Sequence, residues 1–159
     1  MIRLAKLLVP TDFSEDSEQA ARYAVELAKR FQAEIHCIHV VDIPADLLST
    51  SDYYMTGPSK QFIDQIREES KKNLEAFAEK NLEGAQVRTA FLEGSPFVEI
   101  IRYAHNQEID LVVIATHGRT GLRHVLFGSV AEKVVRKAPC PVLVVKREER
   151  DFVMPCTIL

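Results

Sequence analysis

The sequence is poor in cysteine, which argues against two kinds of small scaffold. Only three of its 159 residues are cysteines, and no two of them form a C-x-x-C pair. An odd number of scattered cysteines is not typical of a disulfide framework or of a cysteine-ligated zinc site. Cys37 lies within an apolar strand pattern, so we expect it to be a small core residue. We therefore predict a reduced, cytoplasmic protein.

Long apolar runs and an excess of positive charge are also missing. No segment approaches the roughly 20 consecutive apolar residues of a transmembrane helix. Residues 1–16 lack the long apolar region and the cleavage site of a signal peptide. A net charge of −3 and an isoelectric point near 6.0 argue against a surface that neutralises nucleic-acid phosphates. We expect no binding to membranes or nucleic acids.

The sequence does contain a regular alternation of apolar runs and helical periods. Its length suffices for one domain with a buried core. We predict that domain over residues 1–146, followed by a tail over 147–159. Apolar runs predict strands over 4–10, 33–41, 85–93, 110–115 and 141–146, and helical periodicity predicts helices over 14–31, 60–81, 95–107 and 129–138. Residues 42–59 have no clear period and are predicted to be a long loop.

The predicted helices carry start signals and apolar faces. Ser14 and Ser95 are expected N-caps, and Pro96 suits the first position of its helix. The residues expected to face the core are Ala20, Ala24, Leu27, Ala28 and Phe31 in the first helix, Phe62, Ile66, Leu74 and Phe77 in the second, and Phe97, Ile100, Ile101 and Ala104 in the third.

Strands that alternate with helices predict an α/β fold with a parallel sheet covered by helices on both faces. The strands are apolar throughout, as is typical of strands buried on both faces. In such folds ligands bind beyond the carboxyl ends of the strands, where the winding direction reverses. Two loops follow such ends, "PTDFS" after the first strand and "THGRTGLRHVLFG" after the fourth. If these strands are neighbours, both loops line one crevice.

The second of these loops has the composition of an anion site. Its glycines allow positive φ angles and close approach to a ligand. Gly128 and Ser129 open a helix whose free N–H groups and dipole favour an anion. Basic character comes from His117, Arg119, Arg123 and His124. The pattern favours a polyphosphate, although neither the P-loop nor the G-x-G-x-x-G motif is present.

A purely structural interpretation of the same segment stays open. Ser129 and Glu132 form S-x-x-E, the pattern of a capping box that needs no ligand. Asp12, which follows the first strand, can likewise be interpreted as a ligand-binding residue or as a structural one. It can bind a ribose hydroxyl, an adenine amine or a metal ion, or it can take part in helix capping before Ser14. A carboxylate opposite a phosphate site would suit a nucleotide with Mg²⁺.

Three segments resemble the universal stress protein family. They are "VPTDFS" after the first strand, "HVVD" at the end of the second, and "ATHGRTGLRHVLFGSVAEKVVRKAPCPVLVVK" over 115–146. The resemblance extends over residues 3–146. It implies an open, doubly wound, five-stranded parallel sheet of order 3-2-1-4-5 and, as in many members, binding of ATP. It also implies a homodimer formed by edge-to-edge pairing of strand 141–146, and the alternative is that the tail 147–159 covers this edge instead.

The family's ATP signature is G-x-x-G, nine residues, then G-[ST]. Gly118 and the pair Gly128–Ser129 match it, whereas Ala115 replaces the first glycine. The resemblance implies an adenine and ribose side made by Pro10, Thr11, Asp12 and Val40, and a phosphate side made by Gly118, Gly128, Ser129 and Val130. His117 and Arg119 flank the matched glycine and are included as candidates, without a role assigned by the motif.

The implied function is that of a nucleotide-responsive stress or signalling module. A nucleotide-free interaction module is the alternative, because Ala115 could mark a lost site, and slow ATP hydrolysis is another. No set of residues predicts fast catalysis. His36 and His39 are three apart on a strand and should face opposite sides, which argues against a shared metal. We also predict that loop 42–59 folds over the adenine as a flap.

Overall fold

The computed structural model describes residues 3–43, 60–117 and 128–146. The strands are β1 (Lys6–Pro10), β2 (Glu34–Val41), β3 (Gln86–Glu93), β4 (Leu111–Ala115) and β5 (Val142–Val145), and the helices are α1 (Glu15–Phe31), α2 (Lys60–Asn81), α3 (Pro96–Asn106) and α4 (Ser129–Lys137). The strands form one parallel sheet of order β3-β2-β1-β4-β5. This confirms the predicted α/β fold and places β1 beside β4.

Side chains alternate between the two faces of the sheet because successive residues of a strand point in opposite directions. In β1, Leu7 and Val9 pack with α1 and α2, while Leu8 packs with α3 and α4. Cys37 is fully buried on the first face, as predicted, and burial raises the pKa of its thiol to about 12. Both faces are therefore covered, and the chain reverses its winding between β1 and β4.

Two aromatic residues do not take the inward positions that the sequence predicted. Phe62 is 53% exposed, and Ile63 is the buried residue in the first turn of α2. Ile63 precedes Leu74 by about three helical turns, so it shares the face of that core residue, whereas Phe62 lies one position out of phase. Phe31 has the expected phase but is 49% exposed. It is the last residue of α1, where the chain turns away through Gln32 in the left-handed conformation, with φ of 55°.

Helix α1 begins as the sequence predicted. Ser14 is the N-cap, and its hydroxyl accepts a hydrogen bond from the backbone N–H of Ser17 at 3.2 Å. Helix α3 has Ser95 at its N-cap position and Pro96 in its first turn, but the Ser95 side chain makes no cap hydrogen bond with the described residues. Within the described ranges, no helix has the length and apolarity to cross a membrane.

Candidate functional site

A cleft of about 510 Å³ lies where β1 and β4 end and the winding reverses. The predicted site residues that line it are Pro10, Thr11, Asp12, Val40, Ala115, His117, Gly128, Ser129 and Val130. The fold thus brings together residues from both ends of the chain. Gly118 and Arg119 lie outside the described residues, as does the predicted flap beyond Ile43.

Sequence reasoning missed several residues of the cleft. They include Ser17 in α1, Asp42 after β2, Pro96 and Ile100 in α3, and Thr116 after β4. The start of α3 contributes because its preceding strand, β3, ends at the same edge of the sheet as β1 and β4. That rule was available from the sequence. Asp42 was visible as the last residue of the "HVVD" segment.

One wall of the cleft is the turn between β1 and α1, which is held by its own side chains. Thr11 is buried, and its hydroxyl lies 2.9 Å from the hydroxyl of Ser17. One carboxylate oxygen of Asp12 accepts hydrogen bonds from the backbone N–H of Ser14 at 3.1 Å and from its hydroxyl at 2.5 Å. Asp12 therefore lines the cleft and stabilises the turn at once, so both interpretations of this residue have a structural basis.

Another wall is the start of α4, and here the capping-box interpretation, which the sequence left open beside a phosphate site, is wrong. Gly128, not Ser129, is the N-cap, with φ of −66° and ψ of 154°. No side-chain cap hydrogen bond is present there among the described residues. Ser129 lies one position after the N-cap and is the first residue of the helix. The backbone N–H of Glu132 bonds to the carbonyl of Gly128 at 3.0 Å. Glu132 instead forms an ion pair with Arg136 at 3.1 Å.

Thr116 ties the end of β4 to the start of α4. The backbone N–H of Gly128 donates to the carbonyl of Thr116 at 2.7 Å, and the backbone N–H of Thr116 donates to the carbonyl of Val145 at 3.0 Å. The Thr116 hydroxyl lies 3.0 Å from Nδ1 of His117. The helix start is thus fixed against the strand, with its first turn beside the cleft.

Ala115 replaces a motif glycine without backbone strain. It is the last residue of β4, pairs with Val145, and is 7% exposed. The non-glycine residues with positive φ in the described ranges are Phe13, Gln32 and Glu108, and Ala115 is not one of them. An extended backbone is open to any residue. The glycine at this position is therefore not required for backbone conformation.

The two histidines of β2 face opposite sides of the sheet, as predicted. Nδ1 of His36 lies 2.9 Å from the hydroxyl of Tyr103 in α3, whereas Nδ1 of His39 lies 2.7 Å from the carbonyl of Thr11. Burial lowers the pKa of His36 and favours its neutral form. In the described parts of the chain, no three His, Cys, Asp or Glu side chains form a metal-binding group.

Comparison with known proteins agrees with this architecture. Residues 4–146 match the universal stress protein family. Universal stress protein MJ0531 from Methanocaldococcus jannaschii is 37% identical over 147 residues, which cover 92% of this chain and 84% of that protein. Universal stress protein YxiE from Bacillus subtilis is 38% identical over 146 residues, which cover 89% of this chain and 98% of that protein.

Solved structures show the same fold. MJ0577 from M. jannaschii matches with a TM-score of 0.79 and 31% identity, covering 93% of this chain and 99% of that one. A universal stress protein from Archaeoglobus fulgidus in complex with dAMP matches with a TM-score of 0.60 and 23% identity, covering 92% of this chain and 100% of that one. This second likeness concerns the fold alone. The chain belongs to the universal stress protein family.

Proposed function

We propose that this chain binds ATP with Mg²⁺ in the cleft and acts as a nucleotide-responsive stress or signalling module. The observation that carries the proposal is the start of α4, which faces the cleft with a glycine at its N-cap and no side-chain cap among the described residues. A helix start of this kind offers backbone N–H groups and the positive end of the helix dipole to an anion.

The two walls suit the two ends of a nucleotide. Val40 and the Pro10–Thr11 segment offer an apolar and backbone surface to the adenine, and the Asp12 carboxylate can accept hydrogen bonds from ribose hydroxyls. The phosphates would lie on Gly118, Gly128, Ser129 and Val130, with His117 and Arg119 as further candidates.

Mg²⁺ would arrive with the phosphates. This ion usually binds through substrate phosphates and one or two carboxylates, and not in an all-protein cage. The cleft offers the carboxylates of Asp12 and Asp42. These donors fit a metal ion that the nucleotide brings. A universal stress protein from Archaeoglobus fulgidus with the same fold is in complex with dAMP, so this fold can hold an adenine nucleotide.

Calorimetric titration of the nucleotide-stripped protein with ATP and Mg²⁺ tests the proposal. We expect micromolar binding, equivalent to about −8 kcal/mol, and a clear loss of affinity in Gly128→Ala. Thermal unfolding of the free variant provides the folding control. No heat and no thermal shift with the wild-type protein would contradict ATP binding and favour the nucleotide-free interaction module.

Slow ATP hydrolysis is a separate alternative with its own test. Release of phosphate from ATP above a control without protein would support it, provided that the release is lost in Asp12→Ala.

We also propose a homodimer through β5. This strand lies at the edge of the sheet and carries the apolar sequence Val142–Val145. An apolar edge strand without charges is open to pairing with another strand. Sedimentation equilibrium at micromolar concentration should give the mass of a dimer, and the mass of a monomer would contradict this proposal.

A further inference from the structure

The turn that carries Asp12 is held from behind by a residue of the neighbouring strand. Nδ1 of His39 lies 2.7 Å from the carbonyl oxygen of Thr11. The imidazole ring of His39 also stacks on Phe13, with 4.2 Å between the ring centroids. Neither His39 nor Phe13 is among the described residues that line the cleft. They support the cleft wall from the opposite face of the sheet.

Phe13 has a backbone conformation that requires such support. Its φ is 66°, in the left-handed region, where a bulky residue is a genuine outlier. Its backbone N–H donates to the hydroxyl of Thr11 at 3.0 Å, and its ring packs between His39 and Phe77, at 4.2 and 6.0 Å. Strained residues of this kind persist where surrounding contacts hold them, often beside functional sites.

Strand β2 both lines the cleft and supports the turn, because adjacent residues of a strand point to opposite faces of the sheet. Val40, which follows His39, points to the other face of the sheet and lines the cleft. The backbone N–H of Thr11 also donates to the carbonyl of Ile38 at 2.9 Å, so Thr11 is bonded both to the backbone of β2 and to the His39 side chain. A carbonyl oxygen only accepts, which means that the hydrogen of the imidazole is on Nδ1 in this contact.

We propose that His39 is a positioning residue for recognition of the ribose. Through the carbonyl of Thr11 and the ring of Phe13, it holds the turn in the conformation that presents the Asp12 carboxylate to the ribose hydroxyls. This inference rests on the proposed binding of ATP in the cleft. His39 does not contact the nucleotide, so its effect depends on the hydroxyl groups that Asp12 recognises.

Affinities for ATP and for 2′,3′-dideoxy-ATP, measured by calorimetry with Mg²⁺, test this role. His39→Phe keeps an aromatic ring for stacking and removes the hydrogen bond to Thr11. We expect ATP affinity to fall by about tenfold, the size of one hydrogen bond to a charged group, and dideoxy-ATP affinity to change by about twofold or less. The control is His105→Phe, because His105 is exposed at the far end of α3. It should leave both affinities unchanged.

A double-mutant cycle with Asp12→Ala separates positioning from a general effect on folding. If His39 acts through Asp12, adding His39→Phe to Asp12→Ala should cause no further loss of ATP affinity. Equal losses for ATP and dideoxy-ATP, or additive losses in the cycle, would overturn the inference. Phe13→Gly, which accepts a positive φ but no longer holds the turn, should reproduce the selective loss. Absence of ATP binding by the wild-type protein would instead overturn the proposed function.

Discussion

Helices α1 and α4 begin at the same edge of the sheet and flank the same cleft, but their first turns differ. Helix α1 is capped by the hydroxyl of Ser14 and carries three acidic residues in its first turn. Helix α4 begins at Gly128, without a side-chain cap among the described residues, and its first-turn acid is Glu132. Two helix starts at the same edge of the sheet therefore differ in how their free N–H groups are satisfied. Side chains of the protein use the dipole of α1, whereas none of the described side chains caps the start of α4.

The charges of the two helix starts strengthen this contrast. The acids of α1 are Glu15, Asp16 and Glu18, which complement the helix dipole and would repel a phosphate. In α4 the first residues are Ser129, Val130 and Ala131, none of which is charged. Substitutions at the two helix starts should change this difference, and those at Gly128 should have the largest effect.

Gly128→Asp should turn the start of α4 into a start like that of α1. The backbone at φ of −66° accepts any residue, so the helix should remain intact. Aspartate caps the helix and brings a negative charge to the proposed phosphate site. We expect ATP affinity, measured by calorimetry, to fall by about a hundredfold, or about 2.8 kcal/mol.

Gly128→Asn is the matched control for that charge. It supplies an equivalent cap without a negative charge, so it should lose less ATP affinity than the aspartate variant while its free energy of unfolding rises by a few tenths of a kcal/mol. Equal losses in the two variants would mean that the charge is unimportant. The phosphates would then lie elsewhere in the cleft.

Ser14→Ala should remove the cap of α1 and reduce stability. The hydroxyl of Ser14 accepts from the backbone N–H of Ser17, and loss of such a cap costs about 1 kcal/mol. Urea denaturation of the nucleotide-free protein measures this change in the free energy of unfolding. An unchanged urea midpoint would show that the cap of α1 contributes nothing, and the contrast between the helices would lose its basis.

Ser129→Ala is the corresponding change in α4 and should have the smallest effect on stability. Ser129 is not a cap, so we expect the free energy of unfolding to change by about 0.5 kcal/mol or less. ATP affinity should fall by about threefold if the hydroxyl donates one hydrogen bond to a phosphate. A loss of stability as large as that of Ser14→Ala would restore the capping-box interpretation.

Much of the fold was predictable because its signals are local. The apolar runs and helical periods located every strand and helix of the described ranges, with ends shifted by two residues at most. The inward positions of Phe31 and Phe62 were wrong because periodicity alone does not say where a helix stops touching the sheet or which of two adjacent apolar residues sets the phase. The sequence left open whether Ser129 caps α4, since S-x-x-E fits a cap or a first turn equally well, and the structure places the N-cap at Gly128.

The sequence by itself determined the α/β alternation, the cap of α1, and the residue types of the proposed nucleotide site, because each depends on neighbours along the chain. Only the tertiary structure decided that α4 starts at Gly128, without a side-chain cap among the described residues, and that this start lines the same cleft as Asp12. It also decided that His39 supports the turn of Phe13 from behind the cleft. These contacts join segments that are distant in the chain, and the order of strands in the sheet brings them together.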